Sequence, residues 1–327
     1  MGRLLEIDDI RGISIFVMIL IHTNAYFMAD KIAFFTLEIS QFAVVAFIFC
    51  SSYLFYLKYK TESVKEFMDH FVKRVKRLVI PYYIFFAVYI LFVYLKEPAK
   101  LTADYVVRNL TFTGGLDFNW LVLLFIELAI LMPLFKIWDE KHKKVLYVYI
   151  IVAVISSIIF LKYSPHPLYR YIMWLPWSLI VIYTMFFDRI RKHPPLFWGL
   201  TSIFLALFLI SRQYFLIPLG HSLRQYDNKY PPNLYHLSYC LVELNILYFL
   251  AQRGVFAITR KYIHFLSLYS YQIYFLHLLV IFTITVFYHF NFNWVTFFLA
   301  TLSITSILQF VFNKTWSIVF PKKVISQ

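Results

Sequence analysis

Apolar residues in this chain gather into long, nearly unbroken blocks parted by short charged segments. They do not alternate with polar residues at every second position, as the strands of a membrane β-barrel do. A helix crossing the hydrocarbon of a bilayer needs about 20 mostly apolar residues. On that measure the pattern predicts ten spans, at 10–28, 34–57, 78–95, 119–137, 145–161, 171–187, 196–217, 234–250, 263–290 and 294–313. No internal repeat, low-complexity stretch or soluble domain interrupts them, so residues 1–327 read as a single transmembrane domain.

The charges between the blocks test that count. With the N-terminus placed in the cytoplasm, the inner segments collect the clusters Lys73, Arg74, Lys76 and Arg77, then Lys141, Lys143 and Lys144, then Arg189, Arg191 and Lys192. Most of the 31 Lys and Arg fall on that side, as the positive-inside rule requires. One span more or fewer would reverse every later loop and destroy the asymmetry. The expected fold is therefore all-α, a polytopic membrane bundle of about ten transmembrane helices with both termini cytoplasmic.

Composition narrows the class further. The chain is 61% hydrophobic and 21% aromatic, with 15% charged residues and a mean hydropathy of +0.69. Soluble domains carry roughly 25% charged residues, so a soluble enzyme, a disulfide scaffold and a disordered tail protein are all excluded. A net charge of +14 would suggest nucleic acid in a soluble protein. In a membrane protein it is read as loops that set topology and meet anionic lipid, and no nucleic-acid partner is expected. Cys50 and Cys240 both sit inside apolar runs and say little about redox compartment. No cleavable signal peptide is expected, because the first apolar run follows Glu6, Asp8 and Asp9 rather than a basic segment.

Ionisable side chains within a span cost at least about 2.5–3.5 kcal/mol on insertion scales and usually face a polar interior. The informative ones are Arg11, His22, Glu127, Arg212, Glu243 and His277. His22 lies about 18 Å beyond Ile10 at 1.5 Å per residue, and His277 falls near the middle of the ninth span. Two histidines at similar depth point to one shared polar chamber. Each residue also has a plain structural account. A bundle histidine can be a hydrogen-bonded packing residue, Arg11 can snorkel to the inner boundary, and Glu127 and Glu243 can pair with buried arginines. Arg212 suits an outer anchor, and Lys73, Arg74, Lys76 and Arg77 suit a basic collar at the membrane surface.

Four motifs then combine. The segment IDDIRGISIFVMILIHTNAYF resembles the first helix of acyltransferase family 3, with Asp8, then Arg11 and Gly12, then His22 eleven residues after the arginine. FVKRVKRLVIPYY resembles the start of that family's third helix, on Arg74, Arg77 and Pro81. NWLVLLFIELAILMPLF resembles its Trp-to-Pro helix, from Trp120 to Pro133. SLYSYQIYFLHLLV resembles its late signature, on Ser270, Tyr271, Tyr274 and His277. The motifs run in the family's order from residue 8 to residue 277. Two positions depart from the pattern. Where many members carry a Glu five residues after the Trp, this chain has Phe125, with Glu127 the nearest acid, a feature similar to the branch acting on capsular or intercellular polysaccharides. The usual Pro after the late His is Leu278.

The resemblance implies transfer of an acetyl or succinyl group from acyl-CoA to a hydroxyl of a cell-envelope or extracellular polysaccharide, or of its lipid-linked precursor. It implies a multi-pass protein of a bacterial plasma membrane, with acyl-CoA as co-substrate, no bound cofactor and no metal. No esterase-like domain follows in this sequence, so no acyl relay through one is expected. His22, Arg11 and His277 are the catalytic candidates, with His22 favoured as general base, since an imidazole suits proton transfer near neutral pH. Arg11, about 16 Å from His22 along one helix, is assigned to the donor or to a charge network with Asp8. His277 is assigned to orienting the acceptor or polarising the carbonyl. Arg74 and Arg77 are the donor-binding candidates, because guanidinium forks match phosphates. Asp8, Trp120, Glu127 and Tyr274 are supporting residues. A transporter or flippase for a lipid-linked sugar also accounts for ten spans and buried charge. However, the inverted repeats and glycine-broken helices of such folds are not evident. Oligomeric state is left open.

Overall fold

Apolar blocks in lipid must satisfy every backbone group internally, which a helix does. The blocks of this chain are helical throughout the computed structural model, which describes residues 4–58, 64–164, 168–287 and 292–319, and no strand occurs among them. Nine helices among the described residues are long and apolar enough to cross a membrane. They match nine of the ten expected spans. The remaining one, expected at 145–161, is a helix over Lys143–Ile159 of 17 residues. At 1.5 Å per residue it is about 25 Å long, short of the ~30 Å hydrocarbon.

The chain divides into two compact units, Met1–Ala43 with Ala251–Gln327, and Val44–Leu250. In the first, α1 (Leu5–Asn24) is followed by α2 (Lys31–Ile39), with α12 (Arg260–Leu268), α13 (Ser270–Phe287) and α14 (Trp294–Val319) returning from the C-terminal part. Asp30 starts α2 by accepting hydrogen bonds from the amides of Ile32 and Ala33 at 2.8 and 2.9 Å, the expected role of an N-cap carboxylate. The α1 helix packs against α12, α13 and α14. At Gly12 it lies tight against α12, where a Cβ would stand 2.2 Å from the carbonyl oxygen of Ile263. Glycine at that motif position is thus a packing requirement of the α1–α12 contact.

The second unit runs through α3 (Ala43–Lys58), α4 (Val64–Lys96), α5 (Ala103–Leu110), α6 (Trp120–Lys141), α7 (Lys143–Ile159), α8 (Tyr169–Ile172), α9 (Trp174–Arg191), α10 (Pro194–Ile210) and α11 (Leu234–Gln252). Its core is aromatic, with the Phe187 ring 4.8 Å from both Phe49 and Tyr248, edge to face. The segment between α5 and α6 is closed by Arg170, which donates to Asn119 Oδ1 and to the Phe112 carbonyl oxygen at 2.9 Å.

Two expected spans are interrupted. The span over 34–57 breaks between α2 and α3, where Gln41 Nε2 donates to the Leu37 carbonyl at 3.1 Å and satisfies a group the break would expose. The span over 263–290 is two helices, because Tyr269 leaves helical geometry at φ −108°, ψ 17°. Its expected end, residue 290, lies outside the described residues. Hydropathy counts apolar residues and is blind to the three non-helical residues between α2 and α3 or the one between α12 and α13, so it merges such pairs.

Candidate active site

His22 stands on the last turn of α1 and His277 two turns into α13, within the same unit. His22 Nδ1 lies 2.7 Å from His277 Nε2, and the rings are nearly parallel, at 7° with centroids 5.0 Å apart. His277 Nδ1 lies 2.9 Å from the Ile273 carbonyl oxygen, four residues earlier on its own helix. A carbonyl oxygen only accepts, so the proton is on His277 Nδ1. In a neutral ring Nε2 is then the acceptor, and the hydrogen between the histidines belongs to His22 Nδ1. The lone pair of a neutral His22 is therefore on Nε2. His277 is fully buried, whereas His22 is half-buried. The Tyr274 ring packs against both imidazoles, with centroids 6.3 Å from His22 and 5.8 Å from His277.

Eleven residues before His22, Arg11 is held on two sides. Its Nη2 meets Asp8 Oδ1 at 2.7 Å, and its Nε donates to Ser267 Oγ on α12 at 2.9 Å. Ser267 Oγ in turn donates to the same Asp8 oxygen at 3.1 Å, closing a three-membered ring of polar contacts. Next to it, buried Asp9 accepts from Arg260 Nη2 at 3.2 Å. The expected charge network of Arg11 with Asp8 is present, but Ser267, Asp9 and Arg260 escaped sequence reasoning. A signal existed: Arg260, Ile263 and Ser267 follow the i, i+3, i+7 spacing of one helical face. That face meets Asp9, Gly12 and Arg11 in turn.

In the second unit, Arg74 reaches α3, where its Nη2 donates to Ser51 Oγ at 2.5 Å. Its Nε is buried and meets no hydrogen-bond partner among the described residues. Arg77, one turn on, is exposed. Trp120 opens α6 inside an aromatic group, edge-on to Tyr230 at 4.9 Å and 6.3 Å from Trp177. The buried Lys229 stands 5.5 Å from both the Trp120 and Tyr230 ring centroids. Lys229 lies outside the spans, and burial pushes its amine down to about 8. Neither Glu127 nor Glu243 forms an ion pair among the described residues, so the fastening to buried arginine expected of them is not observed. Glu127 Oε2 is buried without a hydrogen-bond partner there. Arg212 is exposed, on a π-helical turn over Ser211–Leu216.

Compared with known families, the chain matches the model of acyltransferase family 3, described as an acyltransferase domain, over residues 4–312. No curated protein and no solved structure matches it.

Proposed function

The chain belongs to acyltransferase family 3 and is a multi-pass membrane acyltransferase, and from that premise we propose that His22 is its general base, acting on a carbohydrate hydroxyl that attacks acyl-CoA. The observation that carries this reading is the hydrogen-bond series from the Ile273 carbonyl through His277 to His22. It puts the accepting lone pair on His22 Nε2, on the more exposed of the two rings. His277, with both ring nitrogens engaged, serves to hold the tautomer and orientation of His22. It has no nitrogen left to polarise a carbonyl or orient the acceptor.

In the proposed step, the acceptor oxygen forms a bond to the thioester carbon while its proton passes to His22 Nε2. The tetrahedral adduct then collapses, the carbon–sulfur bond breaks, and the imidazolium returns the proton to the leaving thiolate. Acyl ester and free CoA result. General-base catalysis of this kind contributes about 10²–10⁴-fold. Arg74 and Arg77 are proposed to take the phosphates of the donor. The buried Nε of Arg74, with no protein partner among the described residues, supports that role. The acyl group is proposed to be acetyl or succinyl, the acceptor a cell-envelope or extracellular polysaccharide or its lipid-linked precursor, and the location a bacterial plasma membrane. The departure at Phe125 supports that acceptor class.

The test is transfer of labelled acetyl from acetyl-CoA to envelope glycan in membranes carrying wild type or His22→Ala. Turnover is expected to fall by about 10²-fold or more. A folded His22→Ala protein with wild-type turnover would remove the proposed base.

A further inference from the structure

The face that α14 turns inward is polar over four successive turns. Thr301, Thr305 and Gln309 are buried, and Asn313 is half-buried. These residues recur every four positions, so they lie above one another along the helix. The opposite face carries Ile307, Phe310 and Val311, all exposed, as a lipid-facing side would be. A membrane helix that keeps its polar groups inside needs partners for them.

Two of those groups have none among the described residues. Thr301 and Thr305 are each 0% exposed, and neither hydroxyl makes a hydrogen bond there. Threonines within a helix ordinarily turn the hydroxyl back to the carbonyl four residues earlier. Thr23, Thr184, Thr201, Thr283 and Thr285 all do so in this protein, at 2.6–3.0 Å. Thr301 and Thr305 point elsewhere, which leaves two buried hydroxyls at a cost of about 1–3 kcal/mol each unless something else meets them.

Contacts within the unit set their height. The Phe298 ring packs on Phe16 at 5.1 Å, and Phe297 packs on Tyr26 and Phe27, just past the end of α1, at 5.6 and 5.8 Å, so these contacts bracket His22. Further along α14, Ser306 hydrogen-bonds Tyr262 at 2.9 Å, and the next residue of α12, Ile263, is the one packed on Gly12. Thr301 and Thr305 therefore lie between the levels of His22 and Arg11. At 1.5 Å per residue, Thr301 to Gln309 spans about 12 Å along the helix, with Gln309 one turn past Ser306.

We propose that the inward face of α14 is the binding site for the pantetheine arm of the acyl donor, with Thr301, Thr305 and Gln309 hydrogen-bonding its amides. The inference rests on the acyl-CoA reading above and extends it to residues that no motif marks. The arm is thin, uncharged and carries two secondary amides and a hydroxyl in sequence. A hydroxyl both donates and accepts, and a carboxamide does the same through separate atoms. The stripe therefore matches the arm's chemistry without placing a charge in the membrane. It also ends near the level of the imidazole that the thioester must reach.

The test separates the arm from the rest of the donor. Binding of acetyl-CoA and of 3′,5′-ADP, which lacks the arm, is measured on purified wild type and on Thr301→Val/Thr305→Val. Valine keeps the shape and removes the hydroxyls, so the variant should melt at or above the wild-type temperature. Its Kd for acetyl-CoA is expected to rise about tenfold or more, with the Kd for 3′,5′-ADP unchanged and affinity restored in Thr301→Ser/Thr305→Ser. Wild-type acetyl-CoA affinity in a folded valine variant overturns the arm site alone. Failure of the wild type itself to bind acetyl-CoA overturns the acyl-CoA reading and the arm site with it.

Discussion

His22 and His277, on helices at opposite ends of the sequence, share one hydrogen bond of 2.7 Å between Nδ1 and Nε2. Since His277 gives its own proton to the Ile273 carbonyl, the two rings are not equivalent. His277 is an acceptor for its neighbour, and the accepting lone pair of a neutral His22 is on Nε2. That asymmetry makes the contributions of the two residues separable.

Replacing His277 with Ala should lower kcat by about 10-fold or more while leaving the KM for acyl-CoA near wild type, because what is lost is the orientation of His22. His277→Gln, whose carboxamide can still accept from His22 Nδ1, should recover part of the loss. The measurement is steady-state kinetics of both variants beside His22→Ala. A deficit for His277→Ala equal to that of His22→Ala, with no recovery by glutamine, would contradict the division of roles.

Gly12→Ala should destabilise the first unit. The added methyl group meets the Ile263 carbonyl oxygen at 2.2 Å, and that neighbour is backbone on a packed helix, so α1 and α12 must part. Overpacking of this kind costs about 1–3 kcal/mol. Thermal unfolding in detergent should show a lowered transition, whereas Gly199→Ala, where a Cβ meets nothing within 4 Å, should leave it in place.

The pair of Asp9 and Arg260 joins α1 to α12 with the carboxylate buried. Arg260→Gln should cost about 1–3 kcal/mol, chiefly from leaving a buried carboxylate without its charged donor. Asp9→Asn with Arg260→Gln should cost less than the sum of the single changes. Unfolding of the four proteins in one double-mutant cycle checks this, and strict additivity would mean that the two side chains are not coupled.

Lys229 supplies a pH dependence whose sign follows from its burial. The amine is held down to about 8, against an ordinary value of 10.5 in an unfolded chain. Below pH 8 both states carry the proton, and the folded protein bears the whole cost of an ammonium out of water. Between pH 8 and 10.5 the unfolded chain binds more protons, so this contribution to stability rises with pH across that window. Lys229→Met should melt above wild type at pH 7, and the difference should narrow as pH rises from 8 to 10.5. Melting curves at several pH values test both statements.

Much of the candidate site was legible before the helices were assembled. Arg11 and His22 were marked by their cost inside or beside an apolar run, His277 by its depth, and Asp8 by its place in the first motif. Glu243 shows where such reasoning stops: its carboxyl was expected to find a buried arginine and makes no ion pair among the described residues. Expense in the membrane identifies a residue that needs a partner but does not name the partner. Ser267 illustrates the converse. A serine on a short helix costs little anywhere, so nothing in its surroundings in sequence set it apart from the chain's other serines.

The sequence by itself determined that this is a helical membrane protein, the approximate limits of its spans and its family motifs. All of these are properties of contiguous residues, and hydropathy and spacing add up along the chain. Only the tertiary structure decided that His22 meets His277, that Ser267 closes the ring around Arg11, and that Thr301 and Thr305 turn inward. Those facts depend on how each helix is rotated about its axis. A helix that is apolar on nearly every side carries no stripe that fixes that rotation, so packing against its neighbours had to choose it.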